Sequence, residues 1–250
     1  MPDAKITALP AATTIVLTDL VPMVSDPGGT PVTQKMTLAQ LATAVGTVAG
    51  AGALSIAGPN AVTSPVNLTT QGTVDWMAPL GNTAAWSRQD YPNRKMYPTD
   101  VGFLDHKWIW GPGLALFTGA LLTGVSATAA DNMQQYALTN YATGGLGFWS
   151  AAGAVNYGFY LLCHAGTTSR TLKMLSRIWS GVLTVTAHLS DGSAADVSAT
   201  MDSGAGAGME QEFVITFNAG RPDAVLTVTA LVTTNHGSQP HTGLVYATLN

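Results

Sequence analysis

The sequence predicts an all-β protein: a jelly-roll-like β-sandwich preceded by a small hairpin-plus-helix module. Three observations carry that prediction. Short runs rich in β-branched and aromatic residues recur along the chain, with Gly, Pro, Asn and Ser between them. Several of these runs alternate apolar and polar residues, as a half-buried strand does. No stretch from residue 65 onward sustains a helical period.

Residues 1–46 read as the small module. Thr14-Ile-Val-Leu-Thr-Asp-Leu-Val-Pro-Met-Val has strand composition, and Ser25-Asp-Pro-Gly-Gly-Thr-Pro is a dense turn signal, because Pro27 presets φ while Gly28 and Gly29 accept positive φ. Pro31-Val-Thr-Gln-Lys-Met returns as the second arm. Thr37 then caps a two-turn helix in which Leu38, Leu41 and Val45 share one face, and Gly46 ends it. A unit this small buries too little apolar surface to fold unaided. It is expected to dock through Leu17, Leu20, Val21, Met23, Leu38, Leu41 and Val45.

Residues 47–64 are rich in Gly and Ala. Two readings stand side by side: a flexible linker, or a stretch whose small side chains let several chains run close together about a symmetry axis.

Residues 65–250 read as the sandwich. Pro65 to Met77 gives a strand, a turn at Gly72 and a second strand. Tyr157 to Cys163 is another strand, with Cys163, the single cysteine, as a small buried hydrophobe. Arg170 to Trp179 alternates long polar with apolar residues. Gly181 breaks that run, after which Leu183, Val185, Ala187 and Leu189 fall on one face. Phe213 to Phe217, Val225 to Val232 and Gly243 to Leu249 complete the set. Trp108 to Ala130 is uncharged but interrupted by Gly111, Pro112, Gly113, Gly119 and Gly124, which fits two buried strands around a glycine turn better than a span of ~20 apolar residues.

Two segments resemble known families. Lys5-Ile-Thr-Ala-Leu-Pro-Ala-Ala-Thr, Asp19-Leu-Val-Pro-Met-Val, the Asp26–Thr30 turn and Thr37-Leu-Ala-Gln-Leu resemble the N-terminal segment of tailed-phage fibre, spike and appendage proteins. That resemblance covers about 45 residues. It implies attachment to a virion, other virion proteins and copies of itself as partners (three copies expected), and synthesis in the bacterial host cytoplasm. Val66-Asn-Leu-Thr-Thr-Gln-Gly-Thr-Val-Asp-Trp, Arg170-Thr-Leu-Lys, Leu189-Ser-Asp-Gly-Ser-Ala and Leu226-Thr-Val-Thr are similar to a β-sandwich accessory module of secreted bacterial proteins, whose inferred role is carbohydrate binding. Tyr91 to Phe117 departs from that pattern and reads as an insertion or specialised part.

Composition narrows function further. Charged residues make up 10% of the chain and the net charge is -4, so there is no basic footprint for nucleic acid. The surface left is rich in Thr, Ser, Asn, Gln and Gly, which is cheap to bury against another copy. No basic n-region followed by an apolar h-region opens the chain.

Catalytic patterns are poor. A glycosidase needs two carboxylates ~5 Å or ~6.5–9.5 Å apart, and no spacing singles out a pair among Asp75, Asp100, Asp105, Glu210 and Glu212. Glu210 and Glu212 read as one face of a solvated strand edge. His236 and His241 bracket a loop without the further ligands a metal requires, and Asp191-Gly-Ser-Ala-Ala-Asp reads as a tight turn, not a calcium loop. No enzyme, cofactor or metal is therefore expected. Aromatics carry the positive signal, since flat rings cover the apolar faces of sugars. Trp108, Trp110, Tyr136 and Trp149 are the candidate ligand-facing patch, while Trp76 and Trp179 read as core. The expected function is a virion appendage subunit that binds host-surface polysaccharide, with a purely architectural virion protein as the alternative and a depolymerase as the remote one.

Overall fold

The computed structural model describes residues 20–25, 32–37, 50–63, 65–78, 95, 104–109, 114–118, 126–130, 138–142, 146–150, 154–237 and 240–250. The chain divides into two units, Met1–Ala49 and Gly50–Asn250. In the first, β1 (Leu20–Ser25) and β2 (Val32–Thr37) form the expected antiparallel hairpin, with Leu20 opposite Thr37 and Ser25 opposite Val32. Leu20, Val21 and Met23 lie on β1. Leu17, Leu38, Leu41 and Val45, with the helix expected around them, lie outside the described residues.

The second unit is a β-sandwich. Its larger sheet runs β3 (Ala53–Asn60), β15 (Gly208–Asn218), β12 (Arg170–Trp179), β17 (His241–Leu249), β10 (Leu146–Ser150) and β7 (Leu114–Thr118). A short β5 (Asp75–Met77) also pairs with β17, beyond the end of β10. The facing sheet runs β14 (Val197–Asp202), β13 (Gly181–Leu189), β16 (Val225–Asn235), β11 (Gly158–His164) and β6 (Asp105–Ile109). From β11 to β17 the chain crosses between the sheets at every connection except the β13–β14 hairpin, the habit of a jelly roll. The crossing from β12 to β13 takes one residue, Ser180, at φ 51°. Ser180 accepts a hydrogen bond from the Gly206 amide on its Oγ (2.7 Å), which offsets the strain of that left-handed backbone.

Period-two alternation sorts the strands' side chains. On β13, Leu183, Val185, Ala187 and Leu189 are fully buried, while Thr184 and Thr186 are half-buried and His188 is exposed. Phe213, Ile215 and Phe217 of β15 meet them in the core from the other sheet, and Cys163 is buried there as well. The apolar stretch Trp108–Ala130 holds the end of β6, all of β7 and β8 (Ser126–Ala129). Among the described residues, no helix is long and apolar enough to cross a membrane.

A second, smaller core lies on the outward face of the larger sheet. There β4 (Val66–Asn67), β8 and β9 (Leu138–Ala142) form a three-stranded sheet. Val66, Leu68, Trp76 and Ala127 pack onto Leu175, Val245 and Tyr246. Trp76 is fully buried, as read. The strand expected to run through Leu68 is instead a single helical turn, α1 (Leu68–Gln71). Asn67 explains it: its side chain accepts from the Thr70 amide at 3.1 Å and caps the turn. Gly72 then lets the chain double back, since a Cβ there would stand 2.4 Å from the Asp75 carbonyl oxygen.

The linker reading of 47–64 is corrected over Ala53–Asn60, which is β3. It pairs with β15, Leu54 opposite Phe217 and Ile56 opposite Ile215, and both apolar side chains pack against the main core. Ala53, Ser55 and Ala57 face solvent. The small residues disguised an ordinary alternation.

The Asp191 turn holds the rim. Gly192 takes φ 66°, and the Asp191 carboxylate accepts from the Ser193 amide (3.1 Å) and hydroxyl (2.8 Å) and from the Gly220 amide (2.9 Å). Gly50 and Gly52 bond to the same two loops through Gly220 and Ser193. Desolvation pushes the Asp191 carboxyl up, but the bonds from Ser193, Gly220 and Arg221 together hold it below its ordinary value.

Two predictions follow from these contacts. A chain beginning at Gly50 is expected to melt cooperatively as the sandwich, whereas one beginning at Pro65 lacks β3 and melts lower in calorimetry; equal melting temperatures would overturn the role given to β3. A depressed carboxyl pKa contributes stability above its unfolded value and loses it as pH falls through the folded one. Asp191→Asn should therefore lower the melting temperature at about pH 7 and flatten its decline toward about pH 3, compared with the natural chain.

Candidate functional site

In an antiparallel sheet, residues opposite one another share a face, and successive rows lie two residues apart. On the outward face of the larger sheet, near the β12–β13 corner, one row carries an aromatic series. Gly208 of β15 pairs with Trp179 of β12, Trp179 with His241 of β17, and His241 with Trp149 of β10. The Trp179 and His241 rings are stacked, with centroids 5.7 Å apart and planes 5° from parallel. His241 therefore lies on one side of the indole along the row. The other looks across the position of Gly208, which has no side chain to cover it. β3 ends at Asn60, opposite Glu212, so it does not reach the Gly208 row. Trp179, half-buried, thus has one ring face beside the rim of the sheet.

The next row on this face explains why the platform is rigid. Arg177, two residues before Trp179, pairs with Glu210 on one side and Gly243 on the other. Arg177 is 1% exposed and Glu210 4% exposed. Burial lowers the Arg177 pKa, and the Glu210 charge opposes that shift. Glu212 accepts a hydrogen bond from the Tyr246 hydroxyl at 2.8 Å, with Lys173 Nζ 4.0 Å away. Desolvation, then the charge of Glu212 and its hydrogen bond, push the Tyr246 phenol above its ordinary value.

These placements correct the reading of Glu210 and Glu212 as a solvated edge. Glu212 lies opposite Asn60 at the end of β3, and Glu210, beyond that end, lies opposite Arg177 of β12; both are buried. The remaining carboxylates are occupied or apart. Asp75 is fully buried and accepts from the amides of Trp76 (2.8 Å) and Leu104 (2.9 Å). Asp105 lies on β6 in the other sheet, and Asp100 is outside the described residues. His236 and His241 bracket the connection between β16 and β17, as read: β16 ends at Asn235, His236 bonds Asp202 at 2.9 Å, and β17 begins at His241. Among the described residues no group of three or more His, Cys, Asp or Glu could hold a metal.

Of the candidate aromatic patch, Trp110 and Tyr136 lie outside the described residues. Trp108 and Trp149 are in different sheets. Trp108 pairs with Phe159, and Phe159 with Ala230. Trp149 is in the Trp179 row. Trp179 itself, read as core, is the half-exposed member. The sequence carried a faint signal of that, since Trp179 immediately precedes the Ser-Gly break where a strand reaches the rim.

A scan against family models finds no match, and a search of curated proteins finds none. Among solved structures, the chain is similar to TmCBM61 in complex with β-1,4-galactotriose, at 11% identity over 62% of this chain and 90% of that one, with a TM-score of 0.35. A likeness at that score carries no argument about ligand or mechanism.

Proposed function

We propose that this chain is a non-catalytic appendage subunit of a tailed-phage virion, whose first unit attaches to the particle and whose sandwich binds host-surface polysaccharide beside Trp179. The observation that carries the binding half is the one-sided stack: an indole clamped by His241 on one face and bordered by a glycine on the other. Such a ring offers a flat apolar surface to the C–H face of a sugar and loses little side-chain entropy on binding, because it is already held. The virion half is supported by the resemblance of the first 45 or so residues to phage attachment segments. Non-catalytic character is supported by the commitment of Asp75 and Glu212 to internal hydrogen bonds and by the enclosure of Glu210 beside Arg177.

Binding is checked on an array of bacterial surface polysaccharides with the full chain. Trp179→Ala is expected to weaken it by about 2 kcal/mol, roughly 30-fold. Gly208→Leu should do the same by filling the space beside the indole, with the ring still in place. An array silent for the natural chain, together with particles whose host adsorption ignores both substitutions, would leave the architectural reading standing instead.

Assembly is checked by light scattering. The full chain should measure as a trimer and a chain beginning at Gly50 as a monomer, which makes the first unit the oligomerising one. A trimer in both cases would move that role to the sandwich.

A further inference from the structure

The outward face of the five-stranded sheet holds a feature that the Trp179 reading does not use. Thr184 and Thr186 of β13, with Thr229, Leu231 and Thr233 of β16, line an open groove of about 350 Å3. That volume sits at the lower end of the range for small-molecule sites. Register builds it. Thr186 lies opposite Thr229 and Thr184 opposite Leu231. The Thr186 row extends to Ser198 of β14 on one side and to half-buried Tyr160 of β11 on the other.

A β-bulge shapes one end. Val182 pairs with Thr234 but Leu183 pairs with Val232, which leaves Thr233 as the extra residue. Its hydroxyl lies 2.8 Å from that of Thr184 and 3.5 Å from the Val182 carbonyl oxygen. Bulges increase local twist and re-aim side chains, and here the extra threonine is turned onto the groove. Further along β13 the next residue on this face is His188, held by Asp196 at 2.7 Å.

The lining restricts the ligand. Neither β13 nor β16 contains Lys, Arg, Asp or Glu along its whole length. An anionic or cationic ligand would find no counter-charge on the groove floor. Each threonine presents a methyl and a hydroxyl together, and a hydroxyl both donates and accepts. Thr184 with Thr233, and Thr186 with Ser198, hold one another's hydroxyls at 2.8 Å, so the donors are oriented before anything binds. The surface lining the groove is mostly apolar with a few hydroxyls among it, which complements the C–H faces of a molecule that also carries hydroxyls. A protein partner would need roughly 800 Å2 of matched surface, more than a groove of this size presents.

We propose that this groove binds a neutral glycan segment, as a second site on the face of the sandwich opposite Trp179. It does not depend on the Trp179 reading.

The test is NMR on the full chain with threonine methyls labelled, titrated with neutral gluco-, galacto- and manno-oligosaccharides. The expected result is a saturable shift of Thr184, Thr186, Thr229 and Thr233 methyl signals with at least one probe. Thr229→Lys, which sets a long charged chain across the floor, should weaken that response at least about tenfold. Thr186→Val keeps the shape, removes one hydroxyl and should weaken it by a smaller factor, so a folding failure of the lysine variant leaves the test intact. Trp179→Ala should leave the groove response unchanged, which separates the two sites. No shift of these methyls with any probe up to about 10 mM overturns the proposal. So does a shift that vanishes in Trp179→Ala, or self-association that Thr229→Lys abolishes, which would identify a second copy of the chain as the occupant.

Discussion

The register of β12 against its two neighbours governs both faces of the larger sheet. β12 is paired along its whole length with β15 and along most of it with β17, and these pairings decide which of its residues turn inward. Leu172, Met174 and Ile178 enter the main core; Leu175, Arg177 and Trp179 stand outward. A slip by one residue would exchange the two sets, driving Arg177 into the apolar core and Ile178 into the row of Gly208 and His241. The Trp179 stack exists because this register does. The irregularity between Leu175 and Ser176 matters for the same reason, since it lets Tyr246 meet Glu212 while His241 still meets Trp179.

Charge is scarce in this chain, and where it is buried it serves position. Arg177 and Glu210 sit almost wholly out of water beside the aromatic row. A buried charge is costly without an opposite charge near it, and the register sets Arg177 opposite Glu210, whose charge opposes the pKa shift that burial causes. That placement penalises any arrangement in which β15 and β12 are misaligned. The opposite sheet takes the contrary course. β13 and β16 carry no Lys, Arg, Asp or Glu, and hydroxyls bonded to one another help fix its outward face. One surface sets buried opposite charges beside a ring, the other is organised mainly by hydroxyls.

Much of this architecture was legible in the sequence, because alternation is a local property. Leu183 to Leu189, Phe213 to Phe217 and the hairpin of β1 and β2 are each read from period or turn chemistry alone. The misreadings have two causes: some depended on which strand lies next to which, others on a local signal that was passed over. Glu210 and Glu212 look like a solvated edge until Arg177 is known to lie opposite the first and β3 to reach the second, and β3 itself hid behind its small residues. Leu68 looks like a strand residue until the Asn67 cap is counted. Trp179 was indistinguishable from a core tryptophan because what exposes it is a glycine 29 positions away, paired through the register.

The geometry also constrains how binding would work at the level of an assembly. The Trp179 platform and the threonine groove lie on opposite outward faces, with the main core between them. A single rigid chain could not press both against one flat surface at once. It could, however, be threaded between strands of a polymer mesh and touch a different strand on each side. Shallow sites of this kind bind weakly one at a time, because little of the ligand's surface is enclosed. Carried in several copies on one particle, weak sites on two faces still give slow release, since every dissociation competes with rebinding nearby. A dense polysaccharide layer rewards that arrangement more than an isolated receptor would, and it does so without requiring any one contact to be strong.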